Sequence, residues 1–311
     1  MSIVLSAQET QISKLEFNGL KKTKEKFLRR ILKVKENTVY DSLLIVNDVE
    51  RLKRFPGIAN ASYELVDDGS NKKLVYEIDE NFTIIPGLRV STANDGSLAY
   101  GLSAFEFNFL GNNQLLGASY DRNVFDSYII FWEHPFLFSD KVGVAFNYQN
   151  STTQQPVFFE EGEKDYRFNA KMFEGNFLFS FDFNNEGEAG VTFVNESYVF
   201  EDEEPIPGRP TELQANKLIY KLGYTSVDLD IDYQYFDGFS SEFVGQYVDF
   251  QKGDEAGSEF LESFLSLRND FTYFKKVNTN GNWASRLRLA AAIGNEDSPF
   301  APFTLDNQLK Y

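Results

Sequence analysis

The clearest pattern along the chain is an alternation with a period of two. In "TSVDLDIDYQYFDG", residues 225–238, Val227, Leu229, Ile231, Tyr233 and Tyr235 fall on one side and Asp228, Asp230, Asp232 and Gln234 on the other. That period predicts a β-strand with one apolar face and one wet face. "NFLFSFDFNN" sets Phe177, Phe179, Phe181 and Phe183 against Leu178, Ser180, Asp182 and Asn184. "WASRLRLAAAIG" sets Leu287, Leu289, Ala291 and Ile293 against Arg286 and Arg288. From residue 81 onward such runs follow one another between turn clusters, with no convincing helical spacing. Many run about nine to twelve residues, long for a soluble sandwich and suited to tilted spanning strands. Each strand has two solutions. Its apolar face meets a second sheet, or it meets lipid while the charged face lines a lumen. About a dozen meandering strands with short turns and no visible second core favour an antiparallel transmembrane barrel.

The first eighty residues follow a different pattern. "ISKLEF" alternates, Gly19 closes it, and Thr23 is the expected N-cap of a helix carrying Phe27, Leu28, Ile31 and Leu32. Asp41 caps a second helix with Leu44, Ile45, Val49 and Leu52, stopped at Pro56 and Gly57. Two strands, "IANASYELV" and "KLVYEIDE", form a hairpin through "DDGSNK". The order is β-α-α-β-β, a small α+β domain over residues 9–80 ahead of a mainly β region over 81–311. Residues 1–8, "MSIVLSAQ", have two readings: the last piece of a signal peptide, with Ala7 before a cleavage point at Gln8, or an ordinary frayed N-terminus.

Composition narrows the chemistry. The chain has no cysteine and one histidine, His134, which removes disulfides, thiolate metal sites and the usual histidine-based triads. Thirty-two Phe and sixteen Tyr fit strands and membrane interfaces. Of the net charge of −17, residues 1–80 carry +1 and the rest −18, which argues against a nucleic-acid partner. No apolar run reaches the ~18–20 residues of a spanning helix, while a spanning barrel averages to low hydropathy and stays open. The D-x-D-x-D of residues 228–232 lacks the glycine and distal acid of a calcium loop, since Tyr233 and Phe239 stand there. Neither "EDEE" at 201–204 nor the Glu133–His134 pair makes a metal or catalytic constellation. The expectation is no enzyme activity, no metal and no cofactor.

"ISKLEFNGLKKTKEKFLRRIL", "YDSLLIVNDVERLKRFPGIANASYEL" and "LVYEIDEN" together resemble a POTRA domain, the periplasmic module of outer-membrane assembly and transport proteins. Residues 103–149 resemble the opening strands of the BamA/TamA superfamily barrel, the bacterial surface antigen family. A strand ends there in a Phe- or Trp-Leu-Gly turn, matched by "NFLGNN", and a later one in a Pro-aromatic pair, matched by Pro135 and Phe136. "NEDSPFAPFTLDNQLKY" resembles the approach to that family's inward-folded loop, with the chain stopping before an Arg-Gly signature. The resemblance implies about sixteen strands, of which about eleven to thirteen are present. The barrel is thus expected to be C-terminally incomplete.

What the resemblance implies is mechanical. It implies a bacterial outer-membrane barrel with its N-terminal domain in the periplasm, assisting membrane insertion of outer-membrane proteins or translocation of polypeptides. Its partners would be outer-membrane lipid, unfolded outer-membrane or secreted polypeptides, and periplasmic or lipoprotein accessory subunits. Clients would be captured by β-augmentation along an edge at Ile58, Ala61, Tyr63 and Leu65. A weak barrel seam would lie at Phe82, Ile84, Pro86, Gly87 and Leu88, where the proline suits an edge or merely ends a linker. Asp228, Asp230, Asp232, Arg286 and Arg288 are expected to face the lumen. The rival readings are a passive porin-like or ligand-binding barrel with a plug or anchor domain, and a soluble all-β binding protein.

Overall fold

The computed structural model describes residues 10–294 apart from 94–95, 160–161, 183, 202–206, 208, 233–234 and 279–280. The proposed signal remnant, Phe183, Tyr233 and the segment after 294 lie outside the described residues. The first unit runs β1 (Gln11–Asn18), α1 (Glu25–Ile31), β2 (Thr38–Val39), α2 (Ser42–Lys53), β3 (Ile58–Asp68) and β4 (Asn71–Glu80). Its sheet has the order β2-β1-β4-β3, with β1 parallel to β4 and β3 antiparallel to it. The two-residue β2 is an addition to the expected order. The strands' inward positions meet the helices in one core: Ile12, Leu15, Leu74, Tyr76 and Ile78 pack with Phe27, Leu28, Ile31, Ile45 and Leu52.

The two helix starts differ from one another. Asp41 caps α2, its carboxylate accepting from the N–H groups of Leu43 and Leu44 at 2.9 and 3.1 Å. Thr23 does not cap α1, which starts after Lys24 with no side-chain cap. Its hydroxyl instead accepts from Asn108 Nδ2 at 2.9 Å, and its N–H donates to Glu80. A tertiary partner takes the group that local sequence assigns to the helix.

The second unit is an eleven-stranded antiparallel meander. It comprises β5 (Ile84–Thr92), β6 (Leu98–Phe109), β7 (Gln114–Asn123), β8 (Phe125–His134), β9 (Val142–Phe159), β10 (Gly162–Ser180), β11 (Asn185–Phe200), β12 (Glu212–Asp232), β13 (Tyr235–Gly253), α3 (Glu255–Phe260), β14 (Phe264–Asn278) and β15 (Gly281–Ile293). Neighbours in sequence are neighbours in the sheet, and β5 and β15 end it. The strands from β9 to β13 reach 16–21 residues, longer than the alternation suggested, because pairing continues past the apolar stretch. The helix α3 falls where strand was expected at Phe260. Asp254 caps it by accepting from Gly257 N–H, and the chain resumes as strand at Phe264.

One face of this sheet is apolar and open. Phe173, Phe177, Phe193, Tyr220, Leu222, Tyr224, Phe243, Tyr247, Leu287 and Leu289 all stand on it, from 42% to 66% exposed. The other face carries charge in its middle and near the N-terminal unit. At the end remote from that unit it carries a second core, in which Val157, Tyr166, Tyr198, Leu213 and Ala215 are closed over by Leu261 after α3.

Candidate functional site

The N-terminal unit is locked to the near end of the large sheet through three turns. The first is 110–113, where Leu110, Gly111 and Asn113 all have positive φ. Gly111 is required there twice over: its φ is +69°, and a Cβ would lie 2.1 Å from the Lys22 carbonyl oxygen. That approach lets Lys24 N–H donate to the Gly111 carbonyl at 2.9 Å, while Lys22 Nζ pairs with Glu106. This is the physical content of the "NFLGNN" motif.

The second turn, 135–141, sends Phe136 into the N-terminal core. Its ring sits 6.0 Å from Phe27 and 5.9 Å from Phe55, with the Arg51 guanidinium over it at 5.7 Å. Lys33 pairs with Asp140, and Arg51 donates to the Asp140 carbonyl at 3.2 Å. The Lys33 ammonium beside Asp140 holds its carboxyl below the usual range. Behind this contact, burial pushes the Asp48 carboxyl up although the Lys33 and Val34 N–H groups donate to it at 2.9 Å. The Tyr76 hydroxyl is likewise pushed up by burial, next to Asp48. At the third turn Arg54 reaches Asn184. A cavity of about 780 Å³ lies between the units, lined among others by Lys33, Arg51, Arg54, Glu133, Glu186 and Glu188.

Among the described residues four strands end the two sheets, β2, β3, β5 and β15, and two of these edges carry the residues singled out in the sequence. The first is β3, which pairs with β4 and has no strand on its other side. Ile58 and Ala61 are buried in the core and Tyr63 and Leu65 lean on it, so these side chains face inward. What the edge offers is its backbone.

The second open edge is β5. Phe107 N–H donates to the Thr83 carbonyl and Ala93 N–H to the Ser97 carbonyl, so odd-numbered residues point their polar backbone groups at β6. The even-numbered residues Ile84, Pro86, Leu88 and Val90 therefore aim theirs at the open side. Pro86 lies within β5, opposite Ala104, and not in a linker. Its missing N–H is removed from the free edge and costs the ladder nothing. Gly87 stands opposite Ser103, and Phe82 is exposed just ahead of the strand.

The polar face is built from side-chain networks. Lys221 bridges Glu174 at 2.5 Å and Glu188 at 3.1 Å, joining β10, β11 and β12. Lys217 pairs with Glu196. Arg286 and Arg288 both reach Asp270, which also meets Arg268, on the face opposite Leu287 and Leu289. Sequence reading named the two arginines but neither Asp270 nor Lys221. The signal was available in the alternation of β14 and β12, and pairing partners needed the register.

The aspartates are a correction. β12 runs from Leu218 to Asp232 against β13 without a register shift, and paired positions such as Tyr220–Tyr247 and Tyr224–Phe243 fix its phase. Even positions share the apolar face, so Asp228 and Asp230 stand exposed beyond Tyr224 on that face. Val227 and Leu229 lie on the polar face, on the side of Lys221 and Thr225. Asp232 follows in register, though its side chain lies outside the described residues. The hydrophobic phase inverts at Thr225–Ser226 inside one continuous strand. Near Arg54, where Asp228 acts on it, the apolar face has ended and an exposed acid is tolerated.

Comparison with known proteins gives two findings. Residues 10–81 match the family described as POTRA, the surface antigen variable number repeat. By fold the chain is similar to BamA from Haemophilus ducreyi lacking POTRA domains 1–3, with a TM-score of 0.58 and 16% identity, covering 94% of this chain and 57% of that one. It is also similar to CdiB from Acinetobacter baumannii, with a TM-score of 0.58, 12% identity and coverage of 93% and 53%. CdiB from Escherichia coli gives 0.61, 10% identity and coverage of 93% and 55%. The chain thus spans between 53% and 57% of the length of these structures. No curated protein sequence matches it.

Proposed function

From a POTRA domain joined to a sheet with the fold of the BamA and CdiB structures, we propose that this protein is a bacterial outer-membrane barrel. In this reading it assists insertion of outer-membrane proteins or translocation of polypeptides. The N-terminal domain lies in the periplasm, the apolar face of the large sheet meets lipid, and Arg286, Arg288 and Lys221 line the lumen. The observation that carries the reading is the open backbone edge of β3 on a domain fixed to the mouth of the sheet. An extended client adding to that edge gains backbone hydrogen bonds with little sequence preference. It is then delivered beside β5, whose own edge lacks one donor at Pro86. Capture and release need no bond chemistry, so the work is mechanical.

The test uses the full-length protein in cells. A photocrosslinking residue at Glu64, exposed on β3, is expected to trap unfolded outer-membrane or secreted polypeptides, and one at Lys26 on α1 is not. Depletion is expected to lower other outer-membrane barrels or a secreted client. Normal levels of both, with no adduct at position 64, would falsify the reading. The charged inner face supports a second reading, a passive pore anchored by its N-terminal domain. That reading predicts conductance in a planar bilayer with no effect of depletion.

A further inference from the structure

The apolar face of the large sheet ends sharply at one transverse row. Lys171 of β10 stands opposite Asn150 of β9 and Asn195 of β11, and Asn195 stands opposite Asn216 of β12. Asn216 in turn faces Lys252 of β13, and Asn150 faces Tyr128 of β8. Paired residues share a face, so Tyr128, Asn150, Lys171, Asn195, Asn216 and Lys252 form one belt across six strands, remote from the N-terminal domain.

The surroundings of Lys171 are defined by register. One step toward the N-terminal domain, Tyr148, Phe173 and Phe193 are paired in a row of aromatic rings. One step the other way, Thr152, Asn169 and Ser197 are paired in a row of amides and hydroxyls. With Asn150 and Asn195 at its sides, Lys171 has no carboxylate among its eight neighbours on that face. It has no ion-pair partner among the described residues, in a chain of net charge −17. Other outward cations are neutralised: Arg122 by Asp126 and Arg167 by Glu201. The asparagines are held in place, Asn169 Nδ2 donating to Asn150 Oδ1 at 2.8 Å and Asn195 Nδ2 to Asn216 Oδ1 at 2.9 Å. Lys252 differs, because Asp249 lies at the preceding outward position of its strand, held by Gln251.

We infer that Lys171, flanked by Asn150 and Asn195, is a contact site for the phosphate headgroup of an anionic lipid in the leaflet remote from the N-terminal domain. The assignment rests on the membrane placement proposed above. A lysine at the boundary between aromatic and amide rows lays its apolar stem over the rings and sets its ammonium at headgroup depth. The protein supplies no counter-charge there, and the Asn150 and Asn195 amides, each with one N–H given to Tyr128 or Asn216, keep a second N–H for a phosphate oxygen. Lys252, roughly three strand spacings or about 14 Å along the row, extends the same belt with a charge partly offset by Asp249.

The experiment reconstitutes the full-length protein into phosphatidylcholine vesicles holding a minor fraction of phosphatidylglycerol. Lipid retained after extraction is read by native mass spectrometry, and insertion is read separately by co-flotation. Wild type is expected to retain phosphatidylglycerol over phosphatidylcholine. Lys171→Gln is expected to lose about fivefold of that preference, the factor for one lysine at an anionic surface. Lys171→Arg keeps it, and Lys252→Gln loses less than Lys171→Gln. All variants co-float equally.

Equal retention by wild type and Lys171→Gln overturns the site. Full displacement of phosphatidylglycerol by sodium phosphate also overturns it, in favour of a free-anion site. A change in oligomeric state of Lys171→Gln without a lipid difference overturns it in favour of a second copy. Failure of wild type to co-float at all brings down the membrane placement itself, an outcome separable from the other three.

Discussion

The two sheets of this chain use the same alternation and bury opposite things. In the small sheet the apolar positions of β1 and β4 close onto two helices, and Leu28, Ile31, Ile45 and Leu74 lose all exposure. In the large sheet Leu222 is 66% exposed and Leu287 55%, while Lys221, Asp270 and Glu196 turn to the covered face. Alternation therefore specifies a strand and not its solvent. The small sheet is a globular core cut to water, and the large one is the reverse, with apolar groups displayed and charges netted inside.

The contrast can be broken by substitution. Leu28→Ala should cost the N-terminal domain about 2–5 kcal/mol, and Phe136→Ala about 3–5 kcal/mol shared between that domain and its docking. Denaturant unfolding followed by a probe in the domain reads both, and a loss below about 1 kcal/mol for Phe136→Ala would remove it from the joint core. Leu222→Arg should cost about 2–4 kcal/mol in a bilayer, the penalty of a charge on a lipid face. In a water-facing sheet it would be close to neutral, so this variant separates the two environments. Lys221→Ala, which leaves Glu174 and Glu188 facing one another, should cost about 1–3 kcal/mol, recovered in part by Glu188→Gln. Asp228→Asn should stay within about 0.5 kcal/mol, since that side chain stands exposed beyond the apolar face.

Acid sharpens the same comparison at the junction. The folded state depresses the Asp140 carboxyl, so its pairing with Lys33 stabilises docking above the unfolded value near 3.9. That contribution is lost as pH falls through the lower folded value. Asp48 runs the other way: burial raises it, so its contribution is present at low pH and is lost as pH rises through its folded value. The protection factor of the Lys24 N–H, which donates to Gly111 across the junction, should therefore fall below about pH 4 while that of the helix core holds.

Much of the fold was legible because its signals are local. The Asp41 cap, the hairpin at Gly69, the proline-glycine stop at 56–57 and the alternation of β10 and β15 are all written within a few residues. What failed had partners elsewhere. Thr23 reads as a helix cap until Asn108, on another unit, claims its hydroxyl. The α3 turn reads as strand because Phe260 and Leu261 are apolar, and their burial is against Tyr166 and Leu213 from other strands. The aspartates were misread because "TSVDLDIDY" taken alone hides the opposite phase of "KLIYKLGY" just before it. Pairing with β13 shows the two as one strand. The same register reveals Asp270 and Lys221 as hubs, which no single strand could.

That phase inversion also makes β12 a gauge. Its outward positions are polar at Asn216, apolar or aromatic from Leu218 to Tyr224, and polar again at Ser226 and Asp228. Ten residue steps separate Asn216 from Ser226, about 33 Å along a strand and about 25 Å across a bilayer at a common barrel tilt. The chain thus carries its own hydrophobic thickness, fixed covalently between an amide and a hydroxyl. Under the membrane placement proposed above, a thicker bilayer would have to thin beside β12 or pull the Lys171 ammonium inward, each at a fraction of a kcal/mol per Å. Membranes of different depth would then be told apart by this protein without any receptor.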